Sequence, residues 1–184
     1  MTFYDPDENN SVMNVLRFGL LVLMATMTTL SGCRSGRSTD DISVVGNFQA
    51  ERFTGVWHEV ARLPQHFERG LTNVTATYSL EAGKLHITNR GFRKDKEVIA
   101  TAVGRFAGPT DKGAFRISFF RPFYGDYRII WLSPEYDTAV VTSSDRDSLW
   151  ILSRTKKLPA ETLARIIRQA EAWGFDVGRL EYPE

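Results

Sequence analysis

The stretch Asn73–Leu80 reads Asn-Val-Thr-Ala-Thr-Tyr-Ser-Leu. Val74, Ala76, Tyr78 and Leu80 fall on one face, and Thr75, Thr77 and Ser79 on the other. A two-residue period of this kind fits a pleated strand with one dry face and one wet face, and it fits no helix. The pattern recurs along the chain. Gly55–Arg62 places Trp57, Glu59 and Ala61 together, and Lys84–Phe92 sets Leu85 and Ile87 opposite His86 and Thr88. Glu97–Phe106, Ala114–Phe120, Tyr127–Leu132, Thr138–Thr142 and Ser148–Arg154 complete a set of eight. Turn chemistry separates them: Glu81-Ala-Gly-Lys84, Asp95, Gly108-Pro-Thr-Asp-Lys-Gly113, Arg121-Pro-Phe-Tyr-Gly125 and Ser133-Pro-Glu-Tyr136. Pro64–Gly70 is a longer loop, and Ile42–Phe53 leads in without clear periodicity.

Eight consecutive strands at hairpin spacing predict an all-β fold, an eight-stranded antiparallel up-and-down barrel. Closure removes the sheet edges and leaves room inside for one small ligand. A sandwich is the alternative, but the connections are uniformly short and offer no Greek-key crossover. Pro159–Gly174 then changes period. Leu163, Ile166, Ile167, Ala170 and Trp173 share one helical face between a proline and a glycine. This predicts a C-terminal α-helix packed outside the barrel. The last strand supplies a partner for it: Trp150 and Leu152 share the face of Arg154, while Leu149 and Ile151 offer apolar groups on the other. Arg179–Tyr182 reads as a short ninth strand.

The chain has one cysteine, Cys33, so it can form no internal disulfide. Its position is informative. Phe18–Leu30 is the most apolar run of the protein, the length of a signal-peptide core and short for a membrane span. Arg17 precedes it and Leu30-Ser31-Gly32-Cys33 ends it. This resembles the bacterial lipobox, which implies cleavage before Cys33, acylation of that cysteine and anchoring by several acyl chains. In enterobacterial lipoproteins an Asp after the cysteine retains the protein in the inner membrane. Here Arg34 follows, which implies the outer membrane. The acidic start Asp5-Pro-Asp-Glu8 suits a signal peptide poorly, and Met13-Asn-Val-Leu-Arg17 makes the better start. The expected organisation is therefore a signal peptide over 1–32, an acylated cysteine and flexible tether over 33–47, and one folded domain over 48–184. Residues 1–32 hold one base and three acids, which leaves 22 bases and 19 acids in the remainder. That near-balance, with no basic stripe, argues against nucleic acid as a partner.

In an eight-stranded meander the first and last strands meet at closure. Trp57 near the start of one and Arg154 near the end of the other then share a rim, with Gly55 leaving space for close approach. A guanidinium over an indole is worth ~0.5–2 kcal/mol. Gly55, Trp57 and Arg154 are thus the expected floor of a cup. Alternation nominates Val74, Ala76, Tyr78, Leu85, Ile87, Phe115, Ile117, Phe119, Tyr127, Ile129 and Trp131 for its inner wall. Both faces of Tyr127–Leu132 are apolar, so the inward face there stays open. The mouth at the opposite rim would carry His66, Phe67 and Arg69 in one loop and Arg121, Phe123 and Tyr124 in another. Glu59, on the inner face, reads as a satisfied structural acid near the closed end, because an unpaired buried charge is costly.

Gly55-Val-Trp57 and Arg154 match the first and third signatures of the lipocalin family. Further motifs resemble its bacterial outer-membrane and apolipoprotein D-like branch: Val60-Ala-Arg62, Phe67-Glu-Arg-Gly-Leu71, Val74-Thr-Ala-Thr-Tyr78, Asn89-Arg-Gly91, Ser118-Phe-Phe120, Pro122-Phe-Tyr-Gly125, Leu149-Trp-Ile-Leu-Ser-Arg-Thr155 and Gly174-Phe-Asp-Val177. The resemblance spans about residues 48–182. His58 stands where the branch has Tyr, and Ser133-Pro-Glu-Tyr136 lacks the acid of an Asp-x-x-Tyr signature. The resemblance implies a lipid-anchored protein of the outer membrane, on its periplasmic side, that holds a fatty acid, a lysophospholipid or a similar apolar ligand for storage or transport. It implies no cofactor and no metal. No catalytic residues stand out. His58, His66 and His86 lack the spacing of a metal site, and the lone thiol is assigned to the anchor. A structural envelope lipoprotein without a dedicated ligand, a lipid-modifying enzyme of the same fold and a homodimer remain open alternatives.

Overall fold

The computed structural model describes residues 37–183. The expected signal peptide, the expected start at Met13 and the expected lipidation site Cys33 lie outside the described residues. Eight strands follow a short helix α1 (Ala50–Phe53). They are β1 (Gly55–Arg62), β2 (Thr72–Glu81), β3 (Lys84–Arg93), β4 (Lys96–Phe106), β5 (Ala114–Phe120), β6 (Phe123–Leu132), β7 (Thr138–Thr142) and β8 (Leu149–Ser153), and helix α2 (Ala160–Ala172) comes last. Each strand pairs antiparallel with the next, and β8 pairs with β1 to close the barrel. The meander read from the alternation is the fold. β6 begins at Phe123, four residues ahead of the expected start, because Phe120 pairs with Phe123 and makes the β5–β6 connection a tight hairpin.

Two apolar layers result. The inner one joins Trp57, Tyr78, Leu85, Ile87, Phe115, Ile117, Ile129, Val141 and Leu152 with Phe48 and Phe53 from the lead-in. The outer one joins Val60, Ala61, Ile130, Val140, Leu149 and Ile151 with Ile166 and Ala170 of α2. The helix therefore covers the outer face of the β7, β8 and β1 side, as the double-sided apolarity of β8 requires. Burying such side chains is worth about 1.5–3 kcal/mol each.

Two β-bulges decide which residues belong to which layer. In β1, Glu59 pairs with Leu152 and Ala61 with Ile151, so Val60 is the extra residue. In β6, Ile129 pairs with Val141 and Trp131 with Val140, so Ile130 is extra. Past a bulge the alternation inverts. Ala61 and Trp131, expected inside, therefore face outward toward α2, and Trp131 lines a pocket with Ile166 and Trp173. Arg62, one residue on, turns inward.

Residues 37–47, expected as tether, are seated on the barrel. Ser38 bridges to Asp145, Thr39 N–H donates to the Ser144 carbonyl at 3.1 Å, and Val45 N–H donates to Ile129. Thr39 and Ile42 are buried. The Arg146 guanidinium donates to both carboxylate oxygens of Asp41 at 2.6 and 2.7 Å, and Arg128 donates to the Ile42 carbonyl at 2.7 Å. A polar, small-residue composition hid this, because the contacts are made mainly by backbone and by arginines distant in sequence. The expected ninth strand is a single bridge between Glu181 and Arg62 that follows a 3-10 turn at Val177–Arg179.

Candidate functional site

At the closed end the barrel is plugged by aromatic rings. Phe53 and Trp57 are fully buried with centroids 4.7 Å apart, Phe53 lies 5.1 Å from Tyr78, and Phe48 sits 5.6 Å from Phe53 and 5.8 Å from Phe115. The Trp57 indole N–H donates to the Phe53 carbonyl at 2.8 Å, so the buried ring leaves no polar atom unpaired. Arg154 lies over the Trp57 ring at 4.0 Å. Its guanidinium also donates to the carbonyls of Val56, Arg52 and Tyr136 at 2.9, 2.9 and 3.2 Å. It thus ties β1, α1 and the β6–β7 turn together. Gly55 adopts φ 93°, and a Cβ there would stand 3.3 Å from the Arg154 Nη1. In the Ser133–Tyr136 turn the Ser133 hydroxyl accepts from the N–H groups of Asp137 and Thr138 at 3.0 and 3.1 Å. That serine caps the turn at the place where the signature acid is missing.

Above this plug lies a cavity of about 500 Å³. Val74, Ala76, Tyr78, Ile87, Ile117, Phe119 and Tyr127, all expected on the wall, line it. Leu85, Phe115 and Ile129 also point inward, but they pack into the floor beneath it. Trp131 alone of the expected set lies outside the barrel. Tyr78 and Tyr127 share a hydrogen bond of 2.7 Å between their hydroxyls, and burial pushes both phenols well above their ordinary range, so both stay neutral.

The mouth is built from the loop after β1 and the β5–β6 hairpin. Phe67, Phe123 and Tyr124 line it as expected, joined by Phe119 and Phe120. Arg69 and Arg121 are exposed on the surrounding loops but do not line the cavity. The Arg105 guanidinium lies over the Tyr124 ring at 4.9 Å.

The polar part of the wall is a buried cluster under the mouth loop. Arg62 is 2% exposed. Its Nη1 donates to Glu59 at 2.7 Å, its Nε to Glu181 at 3.2 Å and its Nη2 to the Glu68 carbonyl at 3.0 Å. The Trp150 indole N–H donates to the Glu68 carboxylate at 3.1 Å. Glu59 is therefore a paired acid, placed in the cavity wall on the mouth side of the plug rather than at the closed end. Burial pushes its carboxyl up to about 8, with the Glu68 carboxylate adding and Arg62 opposing. Glu68 is likewise raised by burial. One guanidinium facing three carboxylates favours retention of a proton, because charge left uncompensated in a dry wall is expensive. The cluster depends on the β1 bulge: three residues apart in a regular strand, Glu59 and Arg62 would face opposite ways. Glu59 and Glu68 are the acids of the cavity wall, Asp126 borders it with its carboxylate turned to Arg116 at 2.8 Å, and among the described residues no lysine or arginine lines the cavity.

This architecture has known counterparts. A family model described as a lipocalin-like domain matches residues 48–184. Outer membrane lipoprotein Blc of Escherichia coli strain K12 is 42% identical over 166 residues, covering 87% of this chain and 94% of that protein. The Blc of Citrobacter freundii is 40% identical, covering 88% and 94%. Apolipoprotein D of Macaca fascicularis is 28% identical over 165 residues, covering 78% and 83%. Among solved structures, insecticyanin from the tobacco hornworm Manduca sexta superposes with a TM-score of 0.66 at 18% identity, covering 81% of this chain and 87% of that one. With the barrel, the aromatic plug and the Trp57–Arg154 pair in place, the chain belongs to the lipocalin family.

Proposed function

We propose that this protein is a lipid-anchored lipocalin of the outer membrane that carries one apolar lipid in its barrel. The observation that carries the reading is the 500 Å³ cavity, walled by Val74, Ala76, Ile87, Ile117 and Phe119 and floored by rings. Its volume falls within the range of dedicated small-molecule sites, and an acyl chain entering it gains ~25 cal/mol per Å² of apolar surface removed from water. A lysophospholipid or fatty acid fits this chemistry. Among the described residues the one inward guanidinium, Arg62, is already engaged by Glu59, Glu68 and Glu181, which favours a ligand whose polar head stays at the mouth near Arg69 and Arg121. Anchoring through Cys33 and residence in the outer membrane rest on the lipobox-like Leu30–Cys33 and on relatives that are themselves named outer membrane lipoproteins. The reading assigns storage or transport without catalysis.

Mass spectrometry of lipids extracted from protein purified from its own membrane tests the proposal. One lipid per chain is expected, and a cavity that yields none and takes up none on titration would refute it. Ala76→Trp, which projects an indole into the cavity, is expected to lower lipid uptake at least tenfold while leaving the barrel folded.

A further inference from the structure

The cavity wall holds acceptors that the chain itself does not satisfy. Glu59 and Glu68, 8 and 6% exposed, both line it. Each uses a single carboxylate oxygen for its hydrogen bond: Glu59 Oε1 accepts from Arg62 at 2.7 Å, and Glu68 Oε2 accepts from the Trp150 indole at 3.1 Å. Glu59 Oε2 and Glu68 Oε1 have no partner among the described residues. Asn89 lines the same cavity from β3, with Ala76 and Ala100 as its cross-strand neighbours. Its Oδ1 is buried without a hydrogen bond. The two small neighbours leave the amide room to turn.

The charges point the same way. Arg62 faces Glu59, Glu68 and Glu181 at 2.7, 3.9 and 3.2 Å. Glu181 is half-exposed and its charge is solvated, so Glu59 and Glu68 share one buried guanidinium. One negative charge is then in excess, and a proton is held on the Glu59 carboxyl, which burial pushes up to about 8. No lysine or arginine among the described residues lines the cavity to take the place of that proton. Phe67, Tyr124 and Trp150, also in the lining, offer ring faces that attract a cation.

Granted the carrier function proposed above, we infer that the cavity takes a single-chain lipid with a primary ammonium head, seated between Glu59 and Glu68 with Asn89 as a further acceptor. An ammonium brings three donors and no acceptor, against three unpaired oxygens. An anionic head meets no free cation in this wall and stays at the mouth. Binding of the ammonium releases one proton from the Glu59 carboxyl to solvent, so the charge of the wall is unchanged. The groups around Glu59 are Arg62 on its own strand, Glu68 of the mouth loop, Trp150 of β8, Glu181 of the C-terminal segment and the Tyr78 and Tyr127 phenols of β2 and β6. Arg62 stays charged and the phenols stay neutral through pH 8, which leaves the pH dependence to the carboxyl groups.

Calorimetric titration of the full chain with dodecylamine and with laurate, each below its micelle concentration, provides the test. Dodecylamine is expected to bind at least tenfold tighter than laurate at pH 8 and to tighten about tenfold between pH 6 and pH 7, as displacement of one proton requires. Laurate is expected not to tighten. Titrations at pH 7 in phosphate and in Tris, buffers of different ionisation enthalpy, should count about one proton released per amine. Glu59→Gln should weaken dodecylamine at least tenfold and abolish the release. Asn89→Leu, placed on another strand, should weaken dodecylamine about threefold and leave the proton count at one. Dodecylamine that binds no tighter than laurate at pH 8, or binds without releasing a proton, overturns the inference. If laurate or a lysophospholipid is taken up and the amine is not, the carrier function stands and the ammonium site falls. If none of the three is taken up, both fall.

Discussion

The two ends of the barrel are built from the same residue types to opposite purposes. At the closed end, Phe48, Phe53, Trp57 and Phe115 stack on one another and Arg154 binds three carbonyls over them. At the open end, Phe67, Phe119, Phe120 and Phe123 point into solvent, and arginines stand around them on loops. Rings that contact one another supply stability. Rings that have no partner supply a surface. Substitutions at the two ends should accordingly move different observables.

The largest effect is expected at the plug. Trp57→Ala removes a fully buried indole, which costs about 3–5 kcal/mol. For a domain of this size that lowers the melting temperature by roughly 10 °C. Differential scanning calorimetry checks it, and a variant of unchanged stability would break the contrast between the ends. Gly55→Ala acts on the same assembly by a different route. It forces an L side chain into φ 93° and toward the Arg154 guanidinium, so a loss of about 1–3 kcal/mol is expected in urea unfolding.

The cluster under the mouth is expected to give an intermediate effect that depends on pH. Glu59 binds its proton more tightly folded than unfolded, since its carboxyl is raised to about 8. Between the ordinary carboxylate range and pH 8 the folded state therefore holds more protons than the unfolded one, and stability falls as pH rises through that window. Glu59→Gln keeps a hydrogen-bonding group of the same size beside Arg62 without the titration. It should flatten the decline, which melting temperatures measured from pH 5 to pH 8.5 resolve. A variant that keeps the wild-type slope would assign the titration elsewhere.

The smallest effect separates inside from outside. Trp150 lines the cavity and Trp131 packs under α2. Trp150→Phe should abolish most of the ligand-dependent change in tryptophan fluorescence, whereas Trp131→Phe should preserve it at a stability cost near 1 kcal/mol. The reverse result would return Trp131 to the inner wall.

Strand number, strand order, the outer helix and the Trp57–Arg154 contact were all legible in the chain, because each rests on local periodicity or on the parity of antiparallel neighbours. The wall was legible in part. Val74, Ala76, Tyr78 and Ile87 obey a regular alternation and line the cavity. Trp131 broke from it because the Ile130 bulge inserts one residue, and in a run apolar on both faces nothing local marks the insertion. Arg62 was missed for the same reason at Val60. Phe48 and Phe53 were missed because a plug crossing the barrel end has no period to read.

The sequence by itself determined the barrel, through an alternation that only a sheet with one dry and one wet face satisfies and connections too short for any other closure. It also determined the floor, since Trp57 and Arg154 must meet once the first and last strands pair. Only the tertiary structure decided the polarity of the wall and the seating of residues 37–47. Each of these turns on a bulge or on a contact between segments about a hundred residues apart, such as Asp41 with Arg146. Such contacts are selected by packing in three dimensions and leave no local pattern along the chain.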